Sequence, residues 1–305
     1  MEVFFIVNEQ AGSGKGQKVW SKLKDQLDFT YKSYMTEYQG HATIIANDIA
    51  KRQTSACLII AVGGDGTVHE VVKGAAGNMH IQISAIKAGS GNDFTRGYKV
   101  FQTIKELNQY IAKHQKKGNL MDLGHITLGS AQSSFVNNAG IGFDAYVTTK
   151  VNQSRTKKLL NKLGLGRVAY LLITISALLS FKRFQAVIEC NGQMHTFNKV
   201  WFIAICNQPY FGGGMKISPR SKTDDQHLEL VVVYGLSAIK LLLIFASVYW
   251  GKHEQMKHIR FFKDSSYRIK VANETVSHVD GEWLANIQAG ETIQTQLDER
   301  KWLIA

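Results

Sequence analysis

The sequence predicts an α/β domain built on a parallel sheet, followed by a mostly antiparallel β-domain, most simply a sandwich. Three observations carry that prediction. Strand-like and helix-like segments alternate over residues 1 to about 123, strand-like runs dominate from 124 to 289, and three glycine-bearing loops each leave a strand of the first half. A parallel sheet covered on both faces holds its ligand at the loops leaving the strand C-termini, so three such loops make a nucleotide-sized cleft. At 305 residues the chain is long enough for two cores.

The elements follow in order. Val3–Val7 is an apolar strand, followed by the loop Asn8–Gly16 and a helix over Lys18–Leu27. Tyr31–Met35 reads as a second strand, and Ile44, Ile45, Ile49 and Ala50 give His41–Lys51 helical spacing. Cys57–Val62, a helix from Thr67, the strand Ile81–Ile86, the loop Lys87–Asp93 and a helix through Ile104, Leu107 and Ile111 complete the alternation. Beyond Asp122-Leu123-Gly124 the strand-like runs are Ser134–Ala139, Gln185–Glu189, Val200–Cys206, His227–Val233, Tyr267–Val271 and Thr292–Leu297. Helical segments over Lys157–Phe181 and from Ser237 to about His253 interrupt them.

Composition narrows the class. With 45% hydrophobic and 20% charged residues the chain is neither disordered nor membrane-spanning, and 27 Gly against 2 Pro means that glycine shapes its loops. Cys57, Cys190 and Cys206 lie in apolar runs without metal-ligand spacing, which predicts core thiols in a reducing compartment. Met1–Val7 carries no basic leader and reads as a first strand, so a cytoplasmic protein is expected. The apolar stretch Val168–Phe181 has fourteen residues, short of the roughly 18–20 needed to span a bilayer, and Lys240 interrupts Leu236–Trp250. Both are read as core helices, and no transmembrane segment is expected.

Charge is unevenly placed. Of the formal +12, eight basic residues and no acidic one fall in Ala145–Ile188, leaving +4 elsewhere. Lys150, Arg155, Lys157, Lys158, Lys162, Arg167, Lys182 and Arg183 imply an anionic partner: a membrane surface, nucleic acid or a phosphorylated ligand.

The chemistry is concentrated in short motifs. Cys57–Val62 runs into Gly63-Gly64-Asp65-Gly66-Thr67 and a helix-like segment, a place where glycine N–H groups and a helix N-terminus hold phosphate. Thr67 and Glu70 also have capping-box spacing. The first loop lacks both the Walker pattern and the G-x-G-x-x-G fingerprint, because Gly14-Lys15 is followed by Gly16 and Gln17 stands at the third glycine position. The third, Ala88-Gly89-Ser90-Gly91-Asn92-Asp93, repeats glycine, hydroxyl and carboxylate before a helix, where Asp93 alone also suits a cap. Asp280-Gly281-Glu282 places two carboxylates about one glycine; its plainer reading is a turn with solvated charges. Lys222–Leu228 is an acidic loop, either a turn or an oxygen-ligand site for a hard cation such as Mg²⁺. Carboxylates and glycine loops without a nucleophile triad suit phosphoryl transfer, where positioning and electrostatics supply nearly all the catalysis.

These motifs together, with Asn137…Gly140-Ile141-Gly142-Phe143-Asp144, Gly212-Gly213-Gly214-Met215 and Asp224-Asp225, resemble the bacterial diacylglycerol kinase and related lipid kinase family, whose catalytic domain is shared with sphingosine and ceramide kinases. The match runs in family order through nearly the whole chain. The resemblance implies a first domain like that of NAD kinases and phosphofructokinases over 1–123, a lipid-substrate sandwich over 124–289, and a segment from about Gly290 to 305 packing back on the first domain. It implies ATP with Mg²⁺ and phosphorylation of a lipid hydroxyl, diacylglycerol first. Nucleotide contacts would fall on Asn8, Glu9, Gln10, Ala11 and Gly12, on Thr36, on Gly63, Gly64, Asp65, Gly66, Thr67, Val68, His69 and Glu70, and on Ser90, Asn92 and Asp93. Asp65, Asp93 and Asp122 would form a carboxylate–water–Mg²⁺ network; Asp280 and Glu282 would flank the acceptor hydroxyl, with Glu282 the usual proton acceptor. A structural Mg²⁺ would sit on Asp225 and backbone carbonyls near Lys222 and His227.

The chain departs from the pattern at Glu9 and Lys87, where prolines are usual, at His69 for asparagine, and at Gln226 for glycine. A peripheral enzyme of the inner membrane face follows, docked on anionic lipid, with a homodimer compatible with these features. A soluble-substrate kinase of the NAD kinase type and a non-catalytic nucleotide or lipid sensor are the alternatives. A nucleic-acid partner explains the charge and not the carboxylates, so none is expected.

Overall fold

A computed structural model describes residues 1–113, 118–153 and 166–305. β1 (Glu2–Val7), β2 (Lys32–Met35), β3 (Cys57–Gly63) and β4 (Ile81–Lys87) are parallel neighbours in the order β2-β1-β3-β4. The connections carry α1 (Ala11–Lys24), α2 (His41–Arg52) and α3 (Asp65–Ala75), and α4 (Phe94–Gly97), α5 (Ile104–Ala112) and β5 (Asn119–Met121) follow. β3 is buried at every residue, which is why it reads as an unbroken apolar run. The strand period of two splits the core. Phe4, Ile59 and Ile83 face Ile45 and Val71 of α2 and α3, while Phe5, Leu58 and Ile60 face Trp20 and Leu107 of α1 and α5.

The second sheet is antiparallel. It contains β6 (Gly124–Leu128), β7 (Ala131–Phe135), β8 (Asn138–Gly142), β9 (Phe184–Cys190) and the fourteen-residue β10 (Gln193–Cys206). The small hairpin β11 (Tyr210–Phe211) and β12 (Met215–Lys216) stands apart; β13 (Leu228–Tyr234), β14 (Ile259–Asp264), β15 (Ser266–Val271), β16 (Thr275–Val279), β17 (Glu282–Ile287) and β18 (Thr292–Leu297) complete the sheet. β10 pairs with β9 as far as Val200, across a register shift after Phe197, and from there pairs with β8 and β13, turning the sheet over a core that includes Ile126, Ile188, Ile203 and Ile269. This is the antiparallel sandwich expected. On its outer side α6 (Phe143–Gln153), α7 (Gly166–Ser180) and α8 (Ala238–Val248) cover a third cluster around Phe143, Trp201 and Leu241.

Three expectations change. The helix predicted over Lys157–Phe181 is described only as α7, since residues 154–165 lie outside the described residues, as do Arg155, Lys157, Lys158 and Lys162. The run Ser134–Ala139 is two strands, because Val136 and Asn137 turn their N–H groups to a carboxylate instead of a neighbouring strand. The return to the first domain starts later than Gly290. In β18, Ile293 and Thr295 are buried and their neighbours exposed, and the strand pairs with β15 and β6. Only β19 (Trp302–Ile304) crosses, entering the first sheet between β4 and β5. Among the described residues no helix is long and apolar enough to cross a membrane.

Candidate active site

The three glycine loops meet at the C-terminal edge of the first sheet, around a cleft of about 490 Å³. Its walls include Asn8, Gln10, Ala11 and Gly12 from the first loop, Thr36 after β2, Gly64, Gly66, Thr67 and Glu70 at α3, and Ser90 after β4. Backbone packs on backbone here. A Cβ on Gly89 would stand 2.4 Å from the Cα of Gly64, and one on Gly12 would stand 2.4 Å from the carbonyl oxygen of Ala88. Only glycine lets the loops close this tightly.

Side chains lock the loops together. Asn8 Nδ2 donates to Thr67 Oγ1 at 3.1 Å. Glu70 is no partner of Thr67: it accepts from the N–H groups of Gly40 at 2.8 Å and Ala42 at 3.0 Å, capping α2. The capping box suggested by their spacing is therefore absent, because α3 starts at Asp65 with Gly64 as its cap residue. Asp65 Oδ1 accepts from the N–H of Phe94 at 2.8 Å and so caps α4. Asn92, at φ +57°, exchanges hydrogen bonds with both backbone groups of Gly89 and holds the third loop's shape.

Asp65 and Asp93 face one space. A Cβ on Gly91 would lie 2.9 Å from Asp65 Oδ2 and 4.0 Å from Asp93 Oδ2. Burial pushes the Asp65 carboxyl up to about 6, with the charges of Asp93 and Asp280 adding to it and the Phe94 N–H opposing. Burial also raises Asp93, against the N–H of Gly213 (2.8 Å) and the guanidinium of Arg96 (3.1 Å). Arg96 is confined to Asp93 Oδ1, so the two Oδ2 atoms that face this space have no cationic partner among the described residues and suit a divalent cation.

Asp280 and Glu282 part company. Asp280 (φ +46°) and Gly281 (φ +85°) are the two residues of an Asp-Gly hairpin turn between β16 and β17. Its charges are not solvated. The Asp280 side chain is fully buried and accepts from Val136, Asn137 and Asn138 N–H groups at 2.8–2.9 Å and from His69 Nδ1 at 2.6 Å. Burial alone would raise this carboxyl, but the His69 hydrogen bond and the backbone N–H groups outweigh it and hold it below the ordinary range. Glu282 instead reaches the cleft, where its Oε1 lies 3.6 Å from the point a Gly66 Cβ would occupy.

Several expected contacts are displaced from the cleft wall. Val68 packs in the core, and His69 turns away to Asp280. Glu9 offers its carbonyl to Gln17, and Gly63 closes on the Thr67 side chain. Asp122 does not join Asp65 and Asp93: Lys301 Nζ holds its Oδ1 and the Gln226 N–H its Oδ2 at 2.7 Å. At the proposed structural Mg²⁺ site, Lys263 Nζ sits 2.7 Å from Asp225 Oδ2, and His227 donates its N–H to Oδ1 and its Nδ1–H to the Asp225 carbonyl. Lys222 is exposed. Gln226 adopts the left-handed φ of +58°, a conformation that suits the glycine which the family resemblance implies at this position. With an ammonium already on the carboxylate, these residues do not fit a metal. Among the described residues no three His, Cys, Asp or Glu side chains are grouped to hold one unaided.

Other site residues left little signal in the sequence. Tyr38 lines the cleft, 57% exposed, stacked on His41 at 4.6 Å. His278 accepts from the Gly281 N–H and pairs through Nε2 with buried Asp144 at 3.0 Å, bracing the same turn. Asn207 ties Tyr98, Asp122 and Val136 beneath it. Each is an ordinary polar residue beside an apolar run, and only its position in the fold gives it a role.

Comparison with known proteins agrees with this architecture. The diacylglycerol kinase catalytic domain matches residues 2–126, and the YegS C-terminal NAD kinase beta sandwich-like domain matches 137–296. The chain is 30% identical over 285 residues to the "Putative lipid kinase YtlR" of Bacillus subtilis, covering 92% of each. It is 26% identical over 262 residues to a diacylglycerol kinase of B. subtilis, covering 85% of this chain and 81% of that one. A crystal structure titled a "putative diacylglycerol kinase" from Bacillus anthracis superposes with a TM-score of 0.71 at 25% identity, covering all of this chain and 97% of that one. Yeast NADH kinase shares the fold alone, with a TM-score of 0.55 at 10% identity over all of this chain and 84% of that one. The chain belongs to the diacylglycerol kinase-like family of lipid kinases, with a diacylglycerol kinase catalytic domain and a YegS-like C-terminal sandwich.

Proposed function

We propose that the protein transfers the γ-phosphoryl group of ATP to a lipid hydroxyl, with diacylglycerol as the first substrate to test and phosphatidic acid its product. The observation that carries this reading is Glu282 facing a glycine-walled cleft while its neighbour Asp280 has every favourable acceptor direction filled. Glu282 is the carboxylate left to accept a proton. It would take that proton from the acceptor hydroxyl as the oxygen bonds to phosphorus and ADP departs. The N–H groups of the glycine loops and the start of α3 would bind phosphate oxygens, and the exposed Tyr38 ring offers a face for the base. Asp65 and Asp93 would hold the Mg²⁺, which when bound neutralises charge on the phosphates. His69, His278 and the Val136–Asn138 backbone fix the turn that carries Glu282.

The test is a thin-layer assay with labelled ATP against diacylglycerol, monoacylglycerol, undecaprenol, phosphatidylglycerol, sphingoid lipids and NAD. Label in a lipid, lost by at least 10³-fold in Glu282→Gln with nucleotide binding kept, is the expected result. Label in NAD alone would favour the soluble-substrate reading; no transfer to any acceptor would favour a sensor.

A further inference from the structure

We infer that α8, with the C-terminal end of α7, is a membrane-docking face whose partner is an anionic bilayer surface. The inference rests on the lipid kinase reading for its purpose, and on the following observations for its location. Helix α8 is apolar at every position but Lys240 and Ser247, a composition that normally means burial on most sides. One side is buried: Leu241, Ile244 and Val248 pack into the third core cluster. The opposite side is open. Ile239 (73% exposed), Leu242 (38%) and Leu243 (70%) stand at three- and four-residue spacing, Trp250 (72%) follows seven residues after Leu243 just past the helix end, and among the described residues this stripe is exposed. The core-helix reading of Leu236–Trp250 thus holds for half the helix. Phe143 touches both Phe181 (5.6 Å) and Phe245 (6.4 Å), so the end of α7, with Leu179 81% exposed, lies beside α8.

Charge selects the occupant. From Leu236 to His253 there is no acidic residue, Lys240 lies within the stripe and Lys252 just beyond it, and the next residue, Glu254, is paired with Arg220. Arg183 Nη1 donates to the Leu236 carbonyl at 2.9 Å, which places Lys182 and Arg183 at the N-terminal end of α8. A second copy of this face would bring like charges together; an anionic leaflet would pair them. Tyr249 and Trp250 at the helix end are ring types that sit at headgroup depth. The face also leads to the site. α8 packs on β12, and the turn of that hairpin presents the Gly213 N–H to Asp93.

The experiment is co-flotation of the full chain with vesicles of phosphatidylcholine alone and of phosphatidylcholine with 30 mol% phosphatidylglycerol, at low and high salt. Binding to the anionic vesicles that weakens with salt, and falls at least tenfold in the double variant Ile239→Glu/Leu243→Glu, is expected. Met194→Glu, at a residue 65% exposed on the β9–β10 hairpin, should bind as the parent does. Both positions of the double variant are exposed, so its thermal midpoint and nucleotide binding should match the parent's and exclude misfolding. Equal vesicle binding by parent and double variant, binding indifferent to anionic lipid, or a dimer that the double variant dissolves would each overturn the inference. Flotation needs no turnover, so docking without lipid phosphorylation would sink the kinase reading and leave this one standing; the reverse result would do the opposite.

Discussion

At the scale of single residues, the site holds two carboxylates pushed in opposite directions. Asp65 is raised to about 6, so the native chain holds this proton more tightly than the unfolded chain does. Its contribution to stability is therefore greatest below about pH 4 and is lost as pH rises to about 6, a loss of roughly 3 kcal/mol at most. Asp65→Asn cannot ionise, and its amide oxygen still accepts from Phe94. In chelator, its thermal midpoint should exceed the parent's by a few degrees at pH 7.5 and match it near pH 4.5, while kinase activity is lost. Calorimetry at the two pH values decides it; a lower midpoint at pH 7.5 would refute the picture of a site awaiting a cation. Asp280 has the opposite sign: its stabilisation is full above the ordinary carboxylate range and lost as pH falls through the lowered native value. His69 acts through it as a positioning residue. His69→Asn keeps a donor and should retain most activity, whereas His69→Leu leaves a buried carboxylate short of a partner. For the leucine variant kcat should fall at least tenfold with little change in the KM for ATP, and an equal loss in both variants would remove the role.

Elements set how close the loops come. Gly89→Ala would press a Cβ against backbone at Gly64, which has no side chain that can yield, so the β3 and β4 loops must part. Overpacking of this kind costs about 1–3 kcal/mol, and the walls of the cleft move with it. Nucleotide affinity should drop at least tenfold by fluorescence titration; a fall in stability with unchanged affinity would mean that the contact only holds the loops and does not shape the cleft. The same loops show what a sequence can disclose. Glycine between an apolar strand and a helix has few uses, so the cleft was legible from Gly63-Gly64-Asp65-Gly66, and the parallel first sheet from strand–helix alternation. Polar partners across long separations were not. Thr67 and Glu70 had the spacing of a local cap, yet Glu70 serves α2, because the two helices pack side by side and its carboxylate reaches Gly40 first. By spacing alone Asp280 and Glu282 are equivalent, and the family resemblance was what favoured Glu282 as the proton acceptor. Only the hairpin, placed against Val136–Asn138, buries one and exposes the other to the cleft.

At the scale of the whole molecule, the last strand is a fastener between the two sheets. β19 lies between β4 and β5, and Trp302 donates its Nε1–H to the Asp122 carbonyl just before the chain enters β6. Lys301 closes the junction on the Asp122 carboxylate, whose side chain is 3% exposed, and Gln226 reaches the same group from the loop before β13. This is the residue the family resemblance assigned to a metal network, and here a lysine supplies the positive charge. Lys301→Met should leave a buried carboxylate without its counter-charge and cost about 3 kcal/mol, near the lower end for breaking a buried pair because Lys301 is partly exposed. Asp122→Asn in the same chain removes the stranded charge and should restore about half of that loss. A double-mutant cycle by denaturant unfolding measures the coupling. If Lys301→Met costs less than about 0.5 kcal/mol, or if Mg²⁺ stabilises the parent through Asp122 as strongly as the variant, the lysine is not standing in for a cation and the junction is held by Trp302 and the strand pairing alone.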